Sequence, residues 1–231
     1  MKKSILLASM LFAGASQAAS VVGVKFGGEA WSVDTSGSIS PKNNPSQTYD
    51  YKKSNNGKIW VAFEHPIPLV PNVMLKASFL DGKGSIKQQN TTTHVKTDLS
   101  HLDAVLYYEL LDNDIVSLDA GAAYRKMQGD LALSTMDNAI DINKGIVMAY
   151  AAAKASAPGV DLFAFADVEV GLNERETYDY SIGIGYTFDG IVADYNLRAG
   201  YREFNFDVDR FSGVNAKTKA DGIFLGLEID F

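Results

Sequence analysis

The side chains best suited to chemistry are few. His65, His94 and His101 are the only imidazoles in 231 residues, and cysteine is absent. Without thiols there is no disulfide framework, no zinc–thiolate centre and no cysteine nucleophile. His101 and Asp103 stand two residues apart, so an extended backbone puts them on one face. A carboxylate beside an imidazole can make a general base that activates water. The plainer reading of the pair is a solvated histidine at a strand end, and no catalytic residue is assigned. His65 precedes Pro66 in a turn, and His94 follows Thr91, Thr92 and Thr93 in a loop; neither has an evident partner. Asp137, Asp141 and Asn143 offer hard oxygen ligands, but their spacing lacks the Asp-x-Asp-x-Asn-Gly of a calcium loop. No metal ligand and no cofactor-binding residue is assigned. Lys42, Lys52, Lys53 and Lys58 gather in or beside one long polar stretch. They suit contact with phosphate groups, or simply keep a loop solvated.

The composition narrows the classes. With 46% hydrophobic and 21% charged residues the chain can bury a core, which excludes a disordered polymer. The net charge of −7 argues against a nucleic-acid partner, because binding phosphates needs an excess of Lys and Arg.

Residues 1–18 read as a secretory signal peptide. Lys2 and Lys3 form the positive start, Ile5–Ala15 the short apolar run, and Ser16-Gln17-Ala18 the small-x-small cleavage pattern. The run is too short for a membrane helix, which needs about 20 apolar residues. Cleavage is expected after Ala18, with Ala19 as the alternative. The mature chain, 19–231, then carries 19 basic and 28 acidic residues, a charge of −9.

From there the sequence alternates with period two. Val22, Val24, Phe26, Gly28 and Ala30 fall on one face, with Lys25, Gly27 and Glu29 on the other. Tyr178, Tyr180, Ile182, Ile184, Tyr186 and Phe188 do the same against Asp179, Ser181, Gly183, Gly185 and Thr187. This is the signature of strands with one apolar and one polar face. Ten strands are expected, at 21–33, 57–65, 73–80, 98–110, 115–127, 144–156, 161–173, 176–188, 191–206 and 219–231. The alanine-rich 144–156 segment is counted as a strand because the topology needs one there; which of its faces is apolar stays open. Most of these strands suit a tilted membrane crossing of about 9–11 residues better than a soluble sheet.

The connections alternate as well. Asp34–Asn56, Asp81–Thr97, Gln128–Asn143 and Asp207–Thr218 are long, whereas Pro66–Pro71, Leu111–Asp114, Ala157–Gly159 and Asp189–Gly190 are short. Asn173–Arg175 is the exception, a short gap on the long-loop side. The chain closes on Leu225-Gly226-Leu227-Glu228-Ile229-Asp230-Phe231. With its leader, dyad strands, alternating connections and aromatic last residue, the sequence resembles Gram-negative outer-membrane β-barrels. The small OmpA/OmpX-like type and the ten-stranded surface proteases are nearest in size. The resemblance implies an all-β fold: a closed antiparallel transmembrane β-barrel, an up-and-down meander of ten strands, with eight as the alternative. It implies a place in the cell outer membrane, contact with outer-membrane lipid and lipopolysaccharide, and delivery by the barrel-assembly machinery through the strand ending at Phe231. A monomer is expected.

The expected lumen carries Lys25, Glu29, Glu64, Lys76, Asp103, Glu109, Asp119, Arg125, Asp167, Glu169, Asp194, Arg198, Arg202, Glu228 and Asp230. Charges of both signs suggest ion pairs plugging a narrow interior. Tyr178, Tyr180, Tyr186, Phe188, Tyr195, Tyr201 and Phe231 are expected as girdle aromatics at the membrane borders. A non-enzymatic structural or surface-interaction role follows. The alternatives are a narrow cation-preferring channel, a hydrolase at the outer rim, and a soluble periplasmic lipocalin-like binder with its apolar faces turned inward.

Overall fold

The computed structural model describes residues 22–40, 47–88, 91–134, 139–174, 176–211 and 214–231. The leader, Lys42 and Asp137 lie outside these. The strands in chain order are β1 (Gly23–Ser40), β2 (Gln47–Tyr51), β3 (Ser54–Glu64), β4 (Asn72–Phe79), β5 (Asp81–Gln88), β6 (Thr91–Asp98), β7 (His101–Asp112) and β8 (Val116–Met127). They continue with β9 (Gly129–Leu133), β10 (Ile140–Ile142), β11 (Gly145–Ser156), β12 (Leu162–Gly171), β13 (Tyr178–Phe188), β14 (Asp194–Phe211) and β15 (Val214–Asp230).

Ten of them close into a barrel. The antiparallel order β3, β4, β7, β8, β11, β12, β13, β14, β15, β1 returns to β3 through the β1–β3 pairing. The chain's two ends meet at β1–β15, in unbroken register from Lys25 opposite Asp230 to Ser40 opposite Asn215. Ten strands, not eight, form the wall, and 144–156 is one of them, with Ile146, Met148 and Tyr150 buried.

The alternation decides which side faces what. Ile59, Val61, Leu75, Leu106, Ile182, Ile184, Leu225 and Leu227 are all exposed on the outside, Ile184 at 66%. Their polar neighbours in sequence point inward. A soluble binder needs the reverse, so the lipocalin-like alternative fails. A closed wall with an apolar exterior leaves no backbone edge for hydrocarbon to meet, and the chain is an integral outer-membrane β-barrel. Short turns and both termini mark the periplasmic end.

Aromatic residues border the belt. Tyr186, Phe188, Tyr195 and Phe231 are exposed near the periplasmic end, where Phe26 stacks on Phe231 with ring centroids 5.7 Å apart. At the outer border Tyr178 and Tyr180 donate to Glu203 at 2.7 and 3.1 Å, and Tyr201 donates to Asp221 at 2.8 Å. From Tyr178 to Phe188 along β13 is ten residue steps; at about 3.3 Å each and a tilt near 40° the belt is about 25 Å tall.

The long connections are corrected: they are largely strands. The outer part of β1 pairs with β2, β2 with β5, β5 with β6, β6 with β9 and β9 with β10, so the sheet continues beyond the membrane. The expected Asp207–Thr218 loop is mostly the outer part of the β14–β15 hairpin. At the other end β14 begins at Asp194, and Ile191 and Val192 belong to an exposed turn.

Candidate functional site: the barrel lumen

The outer half of the lumen is filled by charge. Arg125 on β8 meets Asp103 on the neighbouring β7 with two bonds, Nε to Oδ1 at 2.8 Å and Nη2 to Oδ2 at 2.9 Å. The same guanidinium reaches Glu169 at 2.6 Å and Asp179 at 3.1 Å. Arg202 on β14 grips Asp179 at 2.9 and 2.7 Å and donates to Ser78 at 3.1 Å. Lys58 lies 3.1 Å from Glu29, and Lys76 pairs with Glu169. Four cations thus face four carboxylates: Lys58, Lys76, Arg125 and Arg202 against Glu29, Asp103, Glu169 and Asp179. Both arginines are 1% exposed. Buried ions survive only when paired and hydrogen-bonded, and here the count balances. Rings support the guanidinium faces, with Arg202 over Trp31 at 4.6 Å and Arg125 over Phe204 at 5.4 Å.

Above the charges the interior turns apolar. Val33, Leu99, Met127, Ile146, Phe204 and Phe206 are buried together, and Val95, Leu131 and Leu133 extend this core into the outer sheet. The expected polar plug is therefore two-layered: an ion-pair cluster beneath a hydrophobic cap.

The periplasmic half is open. A cavity of about 140 Å³ lies in the mid-barrel, walled partly by Trp60, Tyr107, Tyr150, Phe163 and Phe165. It leads to a vestibule of about 860 Å³ at the mouth, lined by Glu64, Glu109, Asp112, Asp114, Asp119, Asp194 and Asp230 against only Lys25 and Lys154. Arg198 pairs with Asp167 at 2.8 Å and Glu228 at 3.4 Å, and Trp60 Nε1 donates to Glu228 at 2.9 Å. Lys25 pairs with Glu64 at 2.8 Å, and Glu64 also accepts from Tyr107 at 2.8 Å. The aromatics fit because glycine faces them: a Cβ at Gly185 would overlap the Phe163 ring.

The expected site residues fare unequally. His101 and Asp103 do share the lumen side, but the imidazole is 1% exposed, not solvated. Its Nδ1 donates to the Leu99 carbonyl at 2.8 Å and its ring stacks on Phe204 at 5.3 Å. Nε2 stands 3.9 Å from Asp103 and 4.0 Å from Asp179, beyond hydrogen-bond reach, and both Asp103 oxygens are held by Arg125. His65 has partners after all: its Nε2 lies 3.2 Å from the Pro71 carbonyl, and its Nδ1 accepts from Ile67 N–H at 3.3 Å. The backbone N–H of His94 donates to Ser134 Oγ at 3.0 Å, pinning β6 to the end of β9. Asp141 and Asn143 are exposed. Among the described residues no three His, Asp or Glu side chains form a metal-holding group. Lys52 and Lys53 are exposed at the outer sheet, Lys53 3.3 Å from Asp34, but Lys58 is corrected: it points into the lumen, away from any phosphate outside. Asp194 lines the rim of the periplasmic vestibule, where it is exposed and accepts from Gly190 N–H at 3.2 Å. Asp179 and Lys154 join the lumen; strand alternation of 176–188 carried the signal for the first.

No protein-family model matches the sequence, and no curated protein matches it. Among solved structures, the chain is similar to the translocator domain of autotransporter NalP from Neisseria meningitidis, at 14% identity and a TM-score of 0.44, covering 96% of this chain and 95% of that one. It is similar to the outer membrane protease OmpT from Escherichia coli, at 11% and 0.49, covering 91% and 96%. It is also similar to the outer membrane protein OprG from Pseudomonas aeruginosa, at 12% and 0.34, covering 91% and 95%.

Proposed function

We propose that this barrel is a non-conducting surface-interaction protein, a membrane anchor that holds an outer β-sheet above the lipid. The observation that carries the reading is the doubly sealed outer half of the lumen. An ion crossing it would have to break a neutral cluster of four cations and four carboxylates and then pass the dry core around Phe204 and Phe206. Moving a bare charge through such a layer costs many kcal/mol. The strands meanwhile continue outward into β2, β5, β6, β9 and β10, and so carry a shaped polypeptide surface rather than bare loops. The reading contains no catalysis. His101 has no hydrogen bond to either neighbouring aspartate, Asp103 or Asp179, and no access to outside water, which a general base needs.

The test is conductance. Purified barrel reconstituted into planar bilayers is expected to give no unitary steps at either polarity in molar salt. Regular steps with cation preference would overturn the proposal and favour the narrow channel. The chain is expected to act as a monomer whose barrel meets lipid alone, checked by its mass in detergent.

A further inference from the structure

The periplasmic half of the lumen has features that an inert anchor does not require. The mid-barrel cavity and the vestibule share a neck formed by Lys25, Glu64, Ser117, Asp119 and Lys154. On one wall of the neck Lys25 and Glu64 satisfy each other at 2.8 Å. On the other wall Lys154 and Asp119 have no ion-pair partner among the described residues, and the Lys154 ammonium rests over the Phe163 ring, 4.3 Å from its centroid. They sit on adjacent strands: Asp119 is opposite Ala152 and Lys154 opposite Ser117, two rungs apart on one face. The backbones of diagonal neighbours of this kind are about 7–8 Å apart, so one small ligand can reach both side chains.

Deeper in, Tyr150 is only 7% exposed and lines the mid-barrel cavity, its ring edge-on to Tyr107 at 5.9 Å and beneath the Lys76 ammonium at 5.3 Å. Around it Trp60, Tyr107, Phe163 and Phe165 offer apolar area. The outer end is closed by the ion cluster, so anything that binds must come and go through the periplasmic mouth.

We propose that this pocket binds a small zwitterion of the α-amino-acid type carrying an apolar or aromatic side chain. Its ammonium meets Asp119, its carboxylate meets Lys154, and its side chain enters the aromatic cavity. The vestibule discriminates in the same sense. Its excess of carboxylates repels a simple anion, while Lys154 opposes a simple cation at the neck. Only a ligand with both charges satisfies both groups.

The experiment is calorimetric titration of the folded full-length mature barrel in detergent with L-phenylalanine. Saturable heat is expected at millimolar concentrations or below, with 3-phenylpropionate and phenethylamine, each lacking one charge, at least about tenfold weaker. Lys154→Met and Asp119→Asn should each weaken L-phenylalanine about tenfold, while Lys217→Ala, on the outer β15, leaves it unchanged. A gel-mobility shift between unheated and boiled samples verifies that each variant is folded; should one fail to fold, the two single-charge probes on the unsubstituted protein still decide. Absence of saturable heat would overturn the proposal. So would equal binding of phenethylamine, which marks a general cation trap, or unchanged affinity in both variants.

Discussion

Replacing Arg125 by Met tests the central physical claim about the lumen. Arg125 is 1% exposed and its guanidinium serves three carboxylates, with both oxygens of Asp103 depending on it. Met fills similar volume, so little of the effect comes from a cavity. What remains is Asp103, buried and stripped of its counter-ion, in a cluster now one charge negative. Leaving an uncompensated buried charge costs about 3–5 kcal/mol, a change in the folded-to-unfolded ratio of roughly 150-fold to several thousandfold at about 1.4 kcal/mol per decade. The double variant Arg125→Met, Asp103→Asn restores neutrality, and its cost is expected to fall by about 2 kcal/mol relative to Arg125→Met alone. The assay is equilibrium urea unfolding in phospholipid vesicles, read by tryptophan emission and by the gel shift on boiling. Arg125→Met within about 0.5 kcal/mol of the parent would show the cluster to be hydrated and energetically slack. Strict additivity of the two substitutions would refute the counter-ion argument itself, because coupled groups cannot be additive.

Other outcomes follow from the same geometry. Leu225→Arg places a cation on the exposed apolar exterior of β15 and should cost about 2–4 kcal/mol in vesicles; a neutral result would mean that this face does not meet hydrocarbon. Lys217→Ala, which removes an exposed 2.5 Å pair with Asp207, should change stability by less than about 0.5 kcal/mol, measured in the same titration. Gly185→Ala should cost about 1–3 kcal/mol because the added methyl overlaps the Phe163 ring, and Phe163→Leu in the same chain should recover part of the loss. N-terminal sequencing of protein from the membrane fraction is expected to begin at Ala19, or Ser20 if the alternative site is cut; retention of Met1 would contradict the leader.

The membrane-crossing segments were legible because lipid demands strict alternation, and β13 from Tyr178 to Phe188 shows it without interruption. The outer sheet was not. β5 and β6 lie beyond the membrane, so neither face has to be apolar, and Asp81–Gln88 and Thr91–Asp98 read as polar loops. The sheet's buried side is carried by scattered residues, Tyr49 on β2, Val95 on β6, Leu131 and Leu133 on β9 and Ile142 on β10. Lys58 was misplaced for a related reason. Ser54-Asn55-Asn56-Gly57 has the composition of a turn, which hid the fact that β3 starts at Ser54 and that Lys58 shares the inward face with Trp60. For His101, alternation gave the direction it faces, but the stack on Phe204 and the sharing of Asp103 with Arg125 depend on strands remote in sequence. Gly183 and Gly185 of β13 mark only the inward face in the sequence; in the fold they leave space for the Phe165 and Phe163 rings of β12.

The seam between β1 and β15 bears on how the chain reaches this state. It joins the first strand to the last in register from Lys25 and Asp230 out to Ser40 and Asn215, so its contacts span nearly the whole mature sequence. Hairpins such as β14–β15 can form from neighbours, whereas this pairing must wait until eight intervening wall strands are in place. Contacts of such sequence separation carry the largest loop-closure cost and slow folding. Until they form, β1 and β15 each present an open row of amide and carbonyl groups on which another chain could template. Closure is thus both the last kinetic step and the one that removes the hazard of assembly with the wrong partner, and a chain truncated within β15 would stall in that exposed state.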